Sequence, residues 1–104
     1  MSDEYQLIIS SPLPDHFFAH LASKINTTTT FHAFDVTSYS ICCIHKTQAF
    51  NKEILKWGGH FNLYHVSGKI ILTINGGNIT NIKTIIIEIL QQLNIDLTLS
   101  LLEE

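Results

Sequence analysis

The sequence of 104 residues contains no arginine, and only 14% of its residues are charged. Arginine is the side chain best suited to gripping phosphate and carboxylate groups through paired hydrogen bonds. Its absence and the net charge of -3 argue against nucleic-acid binding and phosphoryl transfer. An average soluble domain has roughly 25% charged residues. Much of this surface must therefore consist of uncharged polar side chains, which are readily buried against a partner.

Long hydrophobic runs are also missing. The apolar stretches at residues 85–87 and 101–102 are far shorter than the ~20 residues of a membrane-spanning helix. The first residues are acidic and lack the basic and apolar regions of a secretory signal. We therefore expect a cytoplasmic protein without a membrane partner.

Cysteine is limited to the adjacent pair Cys42 and Cys43, in a segment with strand-like composition. Neighbouring side chains of a strand point to opposite faces, so a disulfide between them would be strained. We expect two separate thiols in a reducing compartment. A redox pair or soft-metal site is the alternative, and a second cysteine pair that would support it is absent from the sequence.

Hydrophobic residues are plentiful, at 45% with a mean hydropathy of +0.20, which is enough for the core of a single domain over residues 1–104. Their spacing predicts nine elements in the order βαββαββαβ. We expect strands at residues 5–9, 27–36, 39–45, 61–66, 69–74 and 97–101, and helices at 14–26, 47–57 and 79–93.

The three helices differ in the strength of their patterns. The second helix is predicted from a cap at Thr47, a stripe of Phe50, Ile54 and Trp57, and a stop at residues 58–59. The third can be capped by Asn78 or by Asn81. The apolar positions at helical spacing are Phe18, Leu21, Ala22 and Ile25 in the first helix, and Ile79, Ile82, Ile86, Ile89, Leu90 and Leu93 in the third.

This order predicts an α+β protein with a single mixed, mainly antiparallel sheet and helices packed mainly on one face. Residues 67–68 give the two-residue spacing of a tight hairpin, and the final β-α-β unit is suited to a right-handed crossover. A ferredoxin-like plait with an inserted element is the nearest familiar architecture.

Six histidines offer candidate metal or catalytic groups. His16 and His20 have the i, i+4 spacing of metal-binding helices, but no glutamate lies between them to act as a base. We therefore expect this pair to lie on a solvated helix face, with no metal or cofactor, and a metal site is the alternative. His32 and His45 can approach each other across the first hairpin, whereas Cys43 and His45 merely share one face of a strand.

The most aromatic part of the chain runs from residue 57 to residue 64 and is our first choice for a contact surface. Tryptophan and tyrosine are common anchors in protein interfaces. The alternative is that Trp57 belongs to the core together with Phe50 and Ile54. The predicted contact residues in this region are Trp57, His60 and Tyr64.

In size, acidity and α+β pattern, the whole chain resembles the small immunity proteins of bacterial toxin systems, including contact-dependent growth inhibition, although no specific motif carries the resemblance. It implies a non-enzymatic inhibitor that binds one cognate toxin domain, often a basic nuclease, blocks its active site and makes no direct nucleic-acid contact. Acidic residues would then stand in for the phosphates of the substrate. That role falls to Asp35, Glu53, Glu103 and Glu104. A histidine-using metal- or ligand-binding enzyme and a self-assembling structural domain that forms homo-oligomers remain as alternatives.

Overall fold

A computed structural model describes residues 3–9, 12–95 and 97–101, with the backbone alone for residues 97–99 and 101. The nine main elements follow in the predicted order, with a short 3₁₀ turn at Lys46–Gln48 before the second helix. The strands are β1 (Asp3–Ile9), β2 (Phe31–Phe34), β3 (Ser40–His45), β4 (Phe61–Val66), β5 (Lys69–Ile74) and β6 (Leu97–Leu101). The helices are α1 (Phe17–Thr28), α2 (Lys52–Lys56) and α3 (Ile79–Gln92).

The strands form one six-stranded sheet in the order β2-β3-β4-β5-β1-β6. Each neighbouring pair in this order is antiparallel, which confirms the α+β class and the mainly antiparallel sheet. The parallel component is an isolated bridge between Cys43 and Gly59. Strands β5 and β6 are joined through α3 and are separated by β1, which is the split β-α-β arrangement of ferredoxin-like folds. The elements β2, β3 and α2 are inserted between α1 and β4.

The main core lies between one face of the sheet and the helices α1 and α3, which pack against each other. Strand pairing aligns Leu63 with Leu72 and Phe61 with Ile74, so their side chains point to the same face. These residues are almost completely buried. The helices contribute Leu21, Ile25, Ile86 and Leu90 to the same cluster, as their spacing predicted.

The opposite side of the sheet, which we call the open face, includes Gln6, Ile71 and Tyr64 in one row across β1, β5 and β4. Ile71 is buried but does not belong to the main core cluster. Ile8 and Val66 on this face are 52% and 49% exposed. The two long helices therefore cover one face of the sheet, as expected, and leave apolar side chains on the other.

The boundary between α1 and β2 differs from the prediction. Residues 27 and 28 belong to the helix, because the hydroxyls of Thr27 and Thr28 donate to the carbonyls of Ser23 (2.8 Å) and Lys24 (2.6 Å) one turn earlier. This bond satisfies the polar group of a threonine inside a helix. Strand β2 consequently begins at Phe31 and is four residues long.

The hairpin between β4 and β5 forms at residues 67–68, where both residues have positive φ (52° and 76°), as a tight turn of this kind requires. The cap of α3 is Asn78, whose Oδ1 accepts the Asn81 amide at 2.9 Å. Among the helices of the described residues, none has the length and apolar content needed to cross a membrane.

Candidate functional site

The α2 segment, residues 50–57, is held at both ends by local hydrogen bonds. Before it, His45 caps the 3₁₀ turn, because its Nδ1 accepts the Thr47 amide at 3.2 Å. At its start, Asn51 Oδ1 accepts the amides of Glu53 (3.1 Å) and Ile54 (3.2 Å). The sequence predicted one longer helix capped at Thr47. That prediction was wrong, since the extended backbone of Asn51 interrupts the helical path.

The two aromatic residues of the α2 segment are exposed. Phe50 is 93% exposed and Trp57 is 54% exposed, and no residue of α2 itself is buried. The alternative that Trp57 completes a core stripe with Phe50 and Ile54 is therefore wrong. Phe50 precedes the Asn51 cap, so its side chain does not follow the helical spacing on which the stripe depended.

The exposed side of α2 also carries charge. At 100° per residue, Lys52, Lys56, Glu53 and Trp57 fall within one arc of roughly 140°, and all four are exposed. In the part of the chain that the structure describes, no carboxylate pairs with either lysine. Trp57 thus combines an aromatic side chain, which is typical of interface cores, with charged neighbours, which are typical of the polar rim.

The end of the α2 segment is fixed against the sheet by Gly59. A side chain at this position would overlap the carbonyl of Cys43, and the Phe34 ring lies close by. The positive φ of 85° also favours glycine. In addition, Asn75 Nδ2 donates to the carbonyl of Trp57 at 2.8 Å. Trp57 is therefore exposed on an anchored backbone, which lowers the entropy that a contact would cost.

Beside the α2 segment, His45 and His60 lie against the Phe31 ring. The ring centroids of the two histidines are 6.5 Å apart, and those of His45 and Phe31 are 5.5 Å apart. His60 Nδ1 accepts the amide of His45 at 3.0 Å. Burial and, second, the nearby His45 lower the pKa of His60. His60 is therefore neutral at neutral pH, with its proton on Nε2.

This histidine pair is unsuited to holding a metal in the observed geometry. A ligating imidazole usually donates its second N–H to an acceptor, whereas the Nδ1 atoms of His45 and His60 both accept amide N–H groups. Each Nδ1 is therefore already occupied by an amide, whereas a metal ligand must offer a free, deprotonated nitrogen. No group of three or more potential metal ligands occurs among the described residues.

His16 and His20 are both exposed, as expected, whereas the approach of His32 to His45 does not occur. His16 precedes α1 as its cap, with a left-handed backbone (φ 59°), so His16 and His20 do not share a helical face. His32 pairs with Ile44, and His45 pairs with Phe31. His32 and His45 therefore lie on opposite faces of the hairpin. The approach of His45 to His60, fifteen residues later, had no local signal in the sequence.

Both cysteines are free, as expected. Cys43 is buried in the main core, and burial raises its pKa. Cys42 lies on the other side of β3, where burial and, second, the Asp35 carboxylate raise its pKa. Neither thiol has the lowered pKa that a nucleophilic cysteine needs.

The predicted contact residues lie in three places. Glu53 and Trp57 share the exposed arc of α2, and His60 follows that segment. Asp35 is exposed after β2, next to Phe34, whose ring lies against Gly59. Tyr64 lies on the open face, where its hydroxyl donates to Glu4 Oε2 at 3.5 Å. Glu103 and Glu104 lie outside the described residues.

Sequence reasoning missed Phe50 as an exposed residue and the two lysines beside Trp57. The composition of residues 46–56 could have indicated that this segment is exposed, because these residues include three of the six lysines of the chain. Lysine at the first and last positions of such a short helix is unusual for a segment that packs into a core. The aromatic and charged residues together mark this segment as exposed.

No family model, no curated protein and no solved structure matches this chain.

Proposed function

We propose that the chain is a non-enzymatic protein-binding inhibitor, an immunity protein that neutralises a cognate toxin domain by binding it and blocking its active site. A basic nuclease is the toxin activity that the resemblance favours. The inhibitor would act in the cytoplasm, without binding nucleic acid itself. The α2 segment is the principal contact element in this proposal.

The observation that carries the proposal is the 93% exposure of Phe50 beside the 54% exposed Trp57. Burial of a phenylalanine side chain is worth about 1.5–3 kcal/mol, and this fold forgoes that gain at Phe50. An exposed aromatic residue on an ordered segment is suited to a pocket of a partner, and tryptophan is among the residues that most often dominate binding energy.

The charges near the α2 segment define how a basic partner would meet it. Asp35 and Glu53 are the described residues among the acids expected to contact the toxin, and both are exposed. The net charge of -3 favours the approach of a positively charged partner. Lys52 and Lys56 would repel it locally. In this proposal, Phe50 and Trp57 supply the affinity, and the acids supply the orientation.

The proposal requires that the open reading frame directly upstream encode the toxin domain, and the test is binding of its product and protection against it. We expect the two proteins to co-purify, and the chain to protect cells that express the toxin. The variants Phe50→Ala and Trp57→Ala are each expected to weaken binding about 30-fold, as for residues that contribute about 2 kcal/mol to an interface.

The matched control is Tyr39→Ala, which removes an aromatic side chain that is 61% exposed between β2 and β3. It is expected to leave toxin affinity unchanged. The proposal fails if the chain neither binds nor protects against the neighbouring toxin. The role of the α2 segment fails if binding occurs and both α2 variants retain wild-type affinity.

A further inference from the structure

The two edges of the sheet differ in how their backbone groups are used. At the β2 edge, the Ala33 amide donates to Asn26 Oδ1 at 2.8 Å. The Phe31 amide donates to Thr29 Oγ1 at 3.0 Å. The C-terminal end of α1 thus occupies the outward amides of this short strand, which prevents another strand from pairing there.

Over its described residues, Leu97–Leu101, the β6 edge lacks the devices that usually protect an edge strand. Within the described residues, β6 pairs with β1 on one side only. Its sequence, Leu-Thr-Leu-Ser-Leu, contains no charged residue, proline or glycine. Proteins normally place lysine, proline or a bulge on an exposed edge, because a bare edge is a template for another strand.

The sequence of β6 is complementary to itself. If two copies pair in antiparallel fashion about Leu99, each leucine stands opposite a leucine, and Thr98 stands opposite Ser100. No like charges oppose each other in this register. In a two-fold symmetric contact, residue i of one copy meets residue j of the other, and residue j of the first copy meets residue i of the second. The five residues of β6 satisfy this condition over their whole length.

Helix α3 lies next to the β6 edge and would face an added strand. Helix α3 packs against α1 and against β6. Ile85, Glu88 and Gln92 border the groove that faces α1. At 100° per residue, Ile87 is roughly 200° from Ile85 and so lies on the flank away from α1, where it is only half-buried. A strand added at β6 would bring a second copy towards Ile87, whose neighbours on this flank are polar and include Lys83, which lies over the Tyr5 ring at 4.6 Å.

We propose that β6 pairs with β6 of a second copy of this chain, which joins two six-stranded sheets into one continuous sheet in a symmetric dimer. This self-association is independent of the α2 segment and of the toxin. The dimer would bury the sheet edge that the described residues leave unpaired, and it leaves the α2 segment free for a partner.

Sedimentation equilibrium of the full chain tests the proposal. We expect a mass of two chains for the wild type. In T98K/S100K, lysines oppose each other twice across the dimer, and we expect dissociation to be favoured at least tenfold. In T98K/S100E, each lysine meets a glutamate, so the dimer should be restored. The control His32→Lys adds a charge at the β2 edge and should not change the mass.

Mixing T98K/S100K with T98E/S100E should yield a heterodimer even where each variant alone is monomeric. Amide hydrogen exchange of the wild type provides a measurement that needs no variant, because β6 amides should lose protection on dilution. A wild type that is monomeric at high concentration would overturn the proposal. So would a T98K/S100K variant that is folded by circular dichroism and still dimeric.

Discussion

At the scale of single residues, His60 shows how one hydrogen bond fixes the state of a titratable side chain. Its Nδ1 accepts the His45 amide at 3.0 Å, which only a neutral ring can do. Burial and the neighbouring His45 lower its pKa from the usual 6.5. The ring therefore holds the end of β3 next to the α2 segment without adding a charge.

This geometry predicts that acid destabilises the fold through His60. Below pH 6.5 the unfolded chain binds a proton at this residue, while the folded chain does not until the pH reaches the lowered pKa. The free energy of unfolding should therefore fall as the pH falls through that window, because the unfolded chain binds the additional proton. Urea unfolding in buffers above and below the usual histidine pKa measures this change in the free energy of unfolding.

His60→Gln should remove this part of the pH dependence, whereas His20→Gln, on the exposed side of α1, should leave it unchanged. If wild type and His60→Gln lose stability in parallel as the pH falls, then His60 is not the responsible group.

At the scale of elements, the sequence predicts a helix correctly where apolar residues recur at helical spacing over several turns. Helix α3 has apolar residues at six helical positions, and Ile82, Ile86, Ile89 and Leu90 are buried as predicted. The predicted strand was wrong at the threonines of residues 27–30, because β2 begins only at Phe31. β-Branched residues favour strands on average, but Thr27 and Thr28 satisfy their hydroxyls inside α1, and that choice depends on the helix already formed before them.

The second prediction concerns the residue that caps α3, for which the sequence offered Asn78 and Asn81. Asn78 accepts the Asn81 amide at 2.9 Å, while Asn81 is exposed in the first turn. Asn78→Ala should therefore lower the free energy of unfolding by about 1 kcal/mol, the usual cost of losing a cap.

Asn81→Ala should change the free energy of unfolding by less than about 0.5 kcal/mol, as for most surface substitutions. Thermal or urea unfolding of the two alanine variants is the measurement. Equal losses would show that the hydrogen bond at Asn78 does not stabilise the helix end.

At the scale of the whole molecule, the sheet separates a core face from an open face. The order of the elements predicted helices mainly on one face, and the two long helices do cover one face. The site was harder to predict. Phe50 looks like a core residue by type, and its exposure follows from the single extended residue Asn51, which local patterns do not reveal. The contact of His45 with His60 depends on where β4 begins, which only the folded sheet determines.

Side chains on the core face should contribute more to the free energy of unfolding than those on the open face. The adjacent residues Ile71 and Leu72 of β5 point to different faces and allow this comparison. Leu72 is fully buried in the main core, between the sheet and the two long helices. Leu72→Ala should cost about 2–5 kcal/mol, because it leaves a cavity under the helices that cannot collapse easily. Ile71 lies on the open face, between Gln6 and Tyr64 in its row.

Ile71→Ala should cost at least about 1 kcal/mol less than Leu72→Ala, because α1 and α3 pack on the opposite face and the neighbours of Ile71 can relax into the space. The exposed Ile8→Ala serves as the control and should cost less than either. Urea unfolding of the three variants measures their losses in the free energy of unfolding. If Ile71→Ala is as costly as Leu72→Ala, the open face is packed as a second core, and a partner that binds there would meet a rigid surface rather than an adaptable one.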